Sequence, residues 1–205
     1  MVQILELFGG IGSPRCALRN IGIPVKSIDY VEIDEAAVRS YNAMFAKNLP
    51  YKTQTVVGYN LRPDILIHGS PCNDMSVAGH QGTATKDGRI NHGAGAEEGS
   101  GTRSSLMWET INIIKQMGEW KPKYVIWENV KNIRSKYMVH NHDRYMEELS
   151  KLGYTSTYEL LDAREFGIPQ ARERYFTVSC LKGKEFDLMV DKPKGIGYNK
   201  SRTRS

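Results

Sequence analysis

Four groups of residues have types and spacings that chemistry could use. Cys72 follows Asp64-Ile-Leu-Ile-His-Gly69, an apolar run ended by glycine, and then Ser70-Pro71. Proline fixes φ and offers no N–H to a ladder, so the chain must leave a sheet there. Ligands of open α/β sheets bind at the carboxyl edge of the strands, which places a thiol where a nucleophile is useful. Free cysteine is equally a small core residue, the preferred reading for Cys16, on an apolar helix face, and Cys180, ending an apolar run. By itself Cys72 fits either role. Its polar neighbours Asn73, Asp74 and Ser76 set it apart from the other two.

The second group is the turn Phe8-Gly9-Gly10-Ile11-Gly12, with Glu32 twenty positions after Gly12. Glycines admit φ > 0 and close approach of a ligand to the backbone, and a carboxylate at this spacing suits ribose hydroxyls. The alternative is that Glu32 and Asp34 are only a strand end and a helix cap. The full dinucleotide fingerprint is not met, because Arg15 stands where the third glycine belongs. A nucleoside with no pyrophosphate fits better, with Phe8 able to cover an adenine face. The third group is Glu128, which ends the apolar run Tyr124-Val-Ile-Trp127 as Cys72 ends its own. The fourth is Arg172 and Arg174, two apart and so on one side of an extended chain, unless they are merely surface salt-bridge partners.

The elements that must hold these residues alternate. Strands are expected at 2–8, 27–33, 64–69, 124–127, 154–161 and 175–180, and helices after Gly12 and at 35–47, 104–117 and 140–152. Ser13 as cap and Pro14 at the first helical position start the first helix, Cys16, Ala17, Leu18 and Ile21 give it an apolar face, and Asp34 caps the second. Residues 79–103 hold seven glycines and four apolar residues, a stretch too long for a passive connection and of the kind that is usually a mobile lid or disordered. Lys86, Arg89 and Arg103 within it could meet phosphates, although solvated loop charges are the default reading. His140 and His142 point apart on a helix and read as surface residues, so no metal site is expected.

The 205 residues are 40% hydrophobic and 25% charged, enough for one domain with a real core, and no run is long enough to span a membrane. Three cysteines without a secretory leader point to a reducing, cytoplasmic setting. Of the net charge of +5, the segment 182–205 supplies most, with seven Lys/Arg against three Asp/Glu. The expected organisation is a catalytic domain over 1–181 and a basic extension over 182–205.

With its motifs in this order, the chain closely resembles the catalytic domain of the DNA cytosine carbon-5 methyltransferases. The residues that carry the likeness are Phe8-x-Gly10-x-Gly12, Glu32, Pro71-Cys72, Glu128-Asn129-Val130 and Gln170-x-Arg172-x-Arg174. The resemblance implies a Rossmann-like α/β fold, a mostly parallel seven-stranded sheet with a reversed last strand and helices on both faces. It implies S-adenosylmethionine as cofactor, against Phe8, Gly10, Gly12, Glu32, Ile33, Asn60 and Pro71. It also implies a flipped-out cytosine in DNA as substrate, with Ser76, Arg89 and Arg103 on the nucleic acid. Cys72 adds to carbon 6, Glu128 hydrogen-bonds N3 and the exocyclic amine, Arg174 holds O2 and supports Glu128, and Arg172 helps hold the pocket.

Three departures from the family pattern stand out. Asn73 replaces the usual glutamine, and Tyr59-Asn60 stands where an acidic residue binds the adenine amine. After residue 180 nothing resembles a target-recognition domain or the late motifs, including the helix that completes the cofactor pocket. The expectation is the catalytic part of a split or truncated enzyme, phage-like in type, with a second chain supplying recognition. Two alternatives are a transfer-RNA cytosine methyltransferase, although the Cys-Phe-Thr signature of those relatives is absent, and a non-catalytic protein that keeps the fold to bind DNA or a partner.

Overall fold

The computed structural model describes residues 1–58, 61–69, 83–84, 90–91, 104–136 and 138–182. Asn60, Pro71, Cys72, Ser76, Arg89 and Arg103 lie outside them, as do most of 79–103 and the extension beyond 182. Twelve helices and strands follow in order: β1 (Val2–Leu7), α1 (Ser13–Asn20), β2 (Val25–Val31), α2 (Glu35–Phe45), β3 (Ile65–His68), β4 (Thr83–Ala84), β5 (Ile90–Asn91), α3 (Met107–Gln116), β6 (Tyr124–Val130), α4 (Val139–Lys151), β7 (Tyr154–Asp162) and β8 (Glu173–Leu181). Among the described residues, β4 and β5 pair only with each other.

The main sheet runs β2-β1-β3-β6-β8-β7. Its first four strands are mutually parallel, and β8 is antiparallel to both β6 and β7, which is the reversed last strand expected at 175–180. Among the described residues the sheet has six strands, not seven. Beyond β2, residues 51–57 have no strand conformation. There the Gln54 N–H donates to the Glu32 carbonyl (2.7 Å) and its side-chain amide to the Tyr30 carbonyl (3.3 Å). From β1 the chain passes to β2 on one side and later to β3 on the other. The strand order therefore switches direction between β1 and β3, where α/β sheets open a ligand crevice.

The period-2 alternation of β1 divides the core. Leu5 and Leu7 join Leu66, Val125 and Trp127 under α3 and α4, where Met107, Ile111, Ile114, Tyr145 and Leu149 close the layer. On the other side Tyr30 meets Val38 and Tyr41 of α2, with Phe45 and Tyr51 packed against them. Each large apolar side chain buried this way contributes roughly 1.5–3 kcal/mol.

Several local expectations change. Gly12, at φ +84°, is the N-cap of α1; Ser13 is already helical and makes no side-chain capping bond. None of the residues of α1 is buried, so its apolar face is not a core face. β6 continues through Glu128-Asn129-Val130, so the motif lies within the strand and not after it. His140 is exposed, but His142 is buried, because its ring stacks on Trp127 at 5.7 Å and meets Tyr158 edge-on at 5.0 Å. Asp34 caps α2 as expected, accepting from the Ala37 N–H at 2.8 Å.

Candidate active site

Two constructions meet at the carboxyl edge of the central strands. The first is the glycine turn after β1. Phe8 has φ +53°, a left-handed backbone uncommon outside glycine, and its ring packs half-buried against the core. Gly10 is clamped from both sides. Its N–H donates to Glu32 Oε2 at 2.9 Å, and its carbonyl accepts from the Tyr30 hydroxyl at 2.6 Å. The other oxygen of Glu32 accepts from the Ile33 and Asp34 N–H groups at 2.8 and 2.9 Å. Three of roughly four lone-pair sites of this carboxylate are thus taken, leaving about one for a hydroxyl of a bound molecule. Space above Gly10 is open, since a Cβ there would meet nothing within 4 Å. Ile33 is 75% exposed beside it. An open turn between a half-buried aromatic ring, an exposed isoleucine and a carboxylate with one free site fits a nucleoside.

Beneath the turn lies a group that composition and spacing did not flag. Glu6 is 1% exposed, and its Oε2 accepts from the Tyr41 hydroxyl at 2.6 Å, which in turn accepts from Arg15 Nη1 at 2.9 Å. Among the described residues no side-chain or backbone group is within hydrogen-bonding geometry of Oε1. Burial pushes this carboxyl above the usual carboxylate range, against the pull of Tyr41 and Arg15. The one available signal was a lone charge inside Ile4-Leu5-Glu6-Leu7.

The second construction surrounds Glu128. Its Oε1 is 3.0 Å from Arg174 Nε and 4.0 Å from Arg172 Nη2. β8 brings Arg174 there, in register with Val130, with Phe176 opposite Glu128, and Arg172 lies just before the strand. The expected common side of Arg172 and Arg174 is therefore the side of this carboxylate. Just after β3, a Cβ on Gly69 would lie 3.5 Å from Glu128 Oε2, so the carboxylate stands over the residue that follows β3. Ser70, Pro71 and Cys72 follow Gly69 in sequence.

Under Gly69 sits His68, buried, with Nε2 2.9 Å from the Tyr145 hydroxyl and Nδ1 3.5 Å from Thr110 Oγ1. Burial holds its imidazole at about 3, against an ordinary 6.5. Between those values the unfolded chain binds the proton and the folded one does not. Stability is therefore complete above about pH 6.5 and falls as pH drops towards 3, by up to about 1.4 kcal/mol per unit. His142, also held low by burial, acts in the same direction. Urea unfolding followed from pH 7 to 4.5 should show the midpoint dropping, and the slope should flatten in a His68→Leu/Tyr145→Phe chain. An unchanged slope would remove His68 from this account.

The C-5 cytosine-specific DNA methylase family model matches residues 2–204. The chain belongs to that family. Among curated methylases, it is 32% identical over 240 residues to the type II methyltransferase M2.ScrFI of Lactococcus lactis subsp. cremoris, covering 90% of this chain and 62% of the relative. It is 31% identical over 201 residues to the orphan methyltransferase M.SPRI of Bacillus phage SPR, covering 91% and 40%. The chain thus spans about half the length of the curated methylases it matches. The fold is similar to that of the Entamoeba histolytica methyltransferase EhMeth (TM-score 0.68, 21% identity, 95% of this chain and 57% of that one). It is similar also to the S. pombe Dnmt2 methyltransferase (TM-score 0.64, 18% identity, 93% and 51%). Methylases of this family use S-adenosylmethionine, and the nucleoside-compatible turn described above suits it. Among the described residues there is no cluster of three metal-ligating side chains and no helix long and apolar enough to cross a membrane.

Proposed function

We propose that this chain transfers a methyl group to carbon 5 of a cytosine extruded from DNA, in a cytoplasmic setting. The observation that carries the reading is the Glu128 carboxylate held 3.0 Å from Arg174 Nε at the strand edge beside Gly69, three residues before Cys72. Cys72 is the nucleophile that adds to carbon 6. A free cysteine thiol titrates near about 8.5, so arginine charge brought close to it would favour the reactive thiolate. Glu128 holds the N3 and amine edge of the ring, and Arg174 keeps that carboxylate in place while reaching for O2. Arg172, more exposed, lines the same pocket.

The cofactor, held by Phe8, Gly10, Gly12, Glu32 and Ile33 with Asn60 and Pro71, supplies an electrophilic methyl group. Glu32 orients the ribose and at the same time fixes Gly10, so the turn and the nucleoside share one anchor. Ser76, Arg89 and Arg103 are proposed phosphate contacts.

Target choice is proposed to come from a second chain. Two observations support this. One is that α1 buries none of its residues, and the other is that Ile11, Ile21, Ile23 and Met44 around it are exposed. Arg15, Arg19 and Lys47 border that apolar surface, so the complementing chain should present an apolar stripe flanked by carboxylates.

The test is covalent trapping with duplex DNA containing 5-fluorocytosine and cofactor, run on the chain alone and with the product of a neighbouring reading frame. An adduct that vanishes in Cys72→Ala is expected. Absence of an adduct in both arms would favour a non-catalytic DNA-binding role, and methyl incorporation into transfer RNA in place of duplex DNA would change the substrate.

A further inference from the structure

The mechanism leaves unexplained a histidine in the middle of the sheet. β3 is Ile65-Leu-Ile-His68, three apolar residues and then an imidazole, in the strand between β1 and β6. Burying an imidazole costs free energy unless its nitrogens are bonded, and an aliphatic residue would fill the place without that cost. What the imidazole adds is direction, because hydrogen bonds hold distance and angle where dispersion contacts do not. The ring is neutral, and either tautomer satisfies both nitrogens, since the Tyr145 and Thr110 hydroxyls each donate or accept.

The partners come from two helices, Thr110 from α3 and Tyr145 from α4. On the sheet, His68 is in register with Trp127, and the two rings stack at 5.7 Å with planes 5° apart. Tyr145 closes on Trp127 as well, with ring centroids 4.4 Å apart. The residues that follow this pair are Gly69 and Glu128, and a Cβ on Gly69 would lie 3.5 Å from Glu128 Oε2. His68, Trp127 and Tyr145 therefore form a rigid block directly behind the carboxylate that Arg174 holds.

We propose that the His68–Tyr145 hydrogen bond is a positioning device for Glu128. It fixes the ends of β3 and β6 relative to α4, so that the carboxylate meets Arg174 at one distance and not a range of distances. His68 and Tyr145 touch neither substrate nor cofactor; they act through the backbone of Gly69 and Glu128. The catalytic consequence rests on the role proposed above for Glu128, whereas the geometric consequence does not.

The experiment uses the full chain with Tyr145→Phe and with the double change Tyr145→Phe/His68→Leu. The single change strands a buried nitrogen and should lower the unfolding midpoint. The double change removes both partners at similar volume and should restore most of that loss. Two readouts separate positioning from packing. The first is the proton resonance of Arg174 Nε–H, which reports its bond to Glu128. The second is methyl transfer to duplex DNA, resolved into kcat and the KM for cofactor.

Expected in the double variant are a near-normal midpoint, an Arg174 resonance displaced and faster in exchange with water, and kcat about tenfold down with KM within twofold. An unchanged Arg174 resonance overturns the proposal, and so does a kcat that returns to normal together with the midpoint. If the unsubstituted chain transfers no methyl group either alone or with the complementing chain, the functional reading fails while the resonance still decides the positioning. Should the double variant not fold, the same resonance in Tyr145→Phe decides it.

Discussion

Replacing Glu128 by glutamine should lower methyl transfer by about 10²–10⁴-fold, the range associated with losing a positioned acid–base group. The amide has nearly the same shape and still offers Arg174 an acceptor, but it cannot share a proton with the cytosine ring. The fold should survive. The two side chains are 35% and 22% exposed, so water reaches both and the guanidinium is not left as an isolated buried charge. A loss of stability of no more than about 1–2 kcal/mol is expected. Methyl incorporation into duplex DNA alongside thermal unfolding would measure both quantities. Retention of more than a tenth of the turnover would remove Glu128 from the chemistry.

Gly12→Ala should be the most destabilising single change in the cofactor turn. At φ +84° an alanine sits in the left-handed region, at about 1–2 kcal/mol. Its Cβ would also lie 2.7 Å from the rings of Tyr41 and Phe45. Tyr41 is not free to swing aside, because its hydroxyl joins Arg15 to the buried Glu6. Overpacking of this kind adds about 1–3 kcal/mol, for an expected total of about 2–5 kcal/mol. Gly10→Ala is the control: φ is +52° there, but the Cβ points into open space, so only the backbone strain should remain. Urea unfolding of the two variants should separate them by more than 1 kcal/mol, roughly the smallest overpacking cost. Equal losses would show that the aromatic floor yields and that backbone conformation alone selects glycine at both positions.

Much of the local design was legible in the residue order. Asp34 announced the start of α2 because capping depends only on a short side chain and the next few N–H groups. The spacing of Arg172 and Arg174 gave them a common side because strand geometry has period 2. The glycine turn and Glu32 were readable as partners, though with a difference: Glu32 already grips the backbone of Gly10, a bond that spacing alone does not reveal.

Other readings failed where burial depends on a distant element. His142 looked like a surface residue beside His140, yet Trp127 and Tyr158 arrive from β6 and β7 to cover it. The apolar residues of α1 looked like a core face, yet none of them is buried among the described residues. His68 carried no local signal at all, since Thr110 and Tyr145 are distant in sequence.

The order of residues by itself determined the elements, their turns and the chemical types at their ends, because those follow from backbone sterics and near-neighbour spacing. Tertiary structure alone decided that Glu128 meets Arg174, and that Gly69 lies beneath the same carboxylate. Those meetings follow from the strand order, with β6 set between β3 and a reversed β8. Strand order reflects the packing of helices on both faces of the sheet, a property of the whole chain that no short stretch carries.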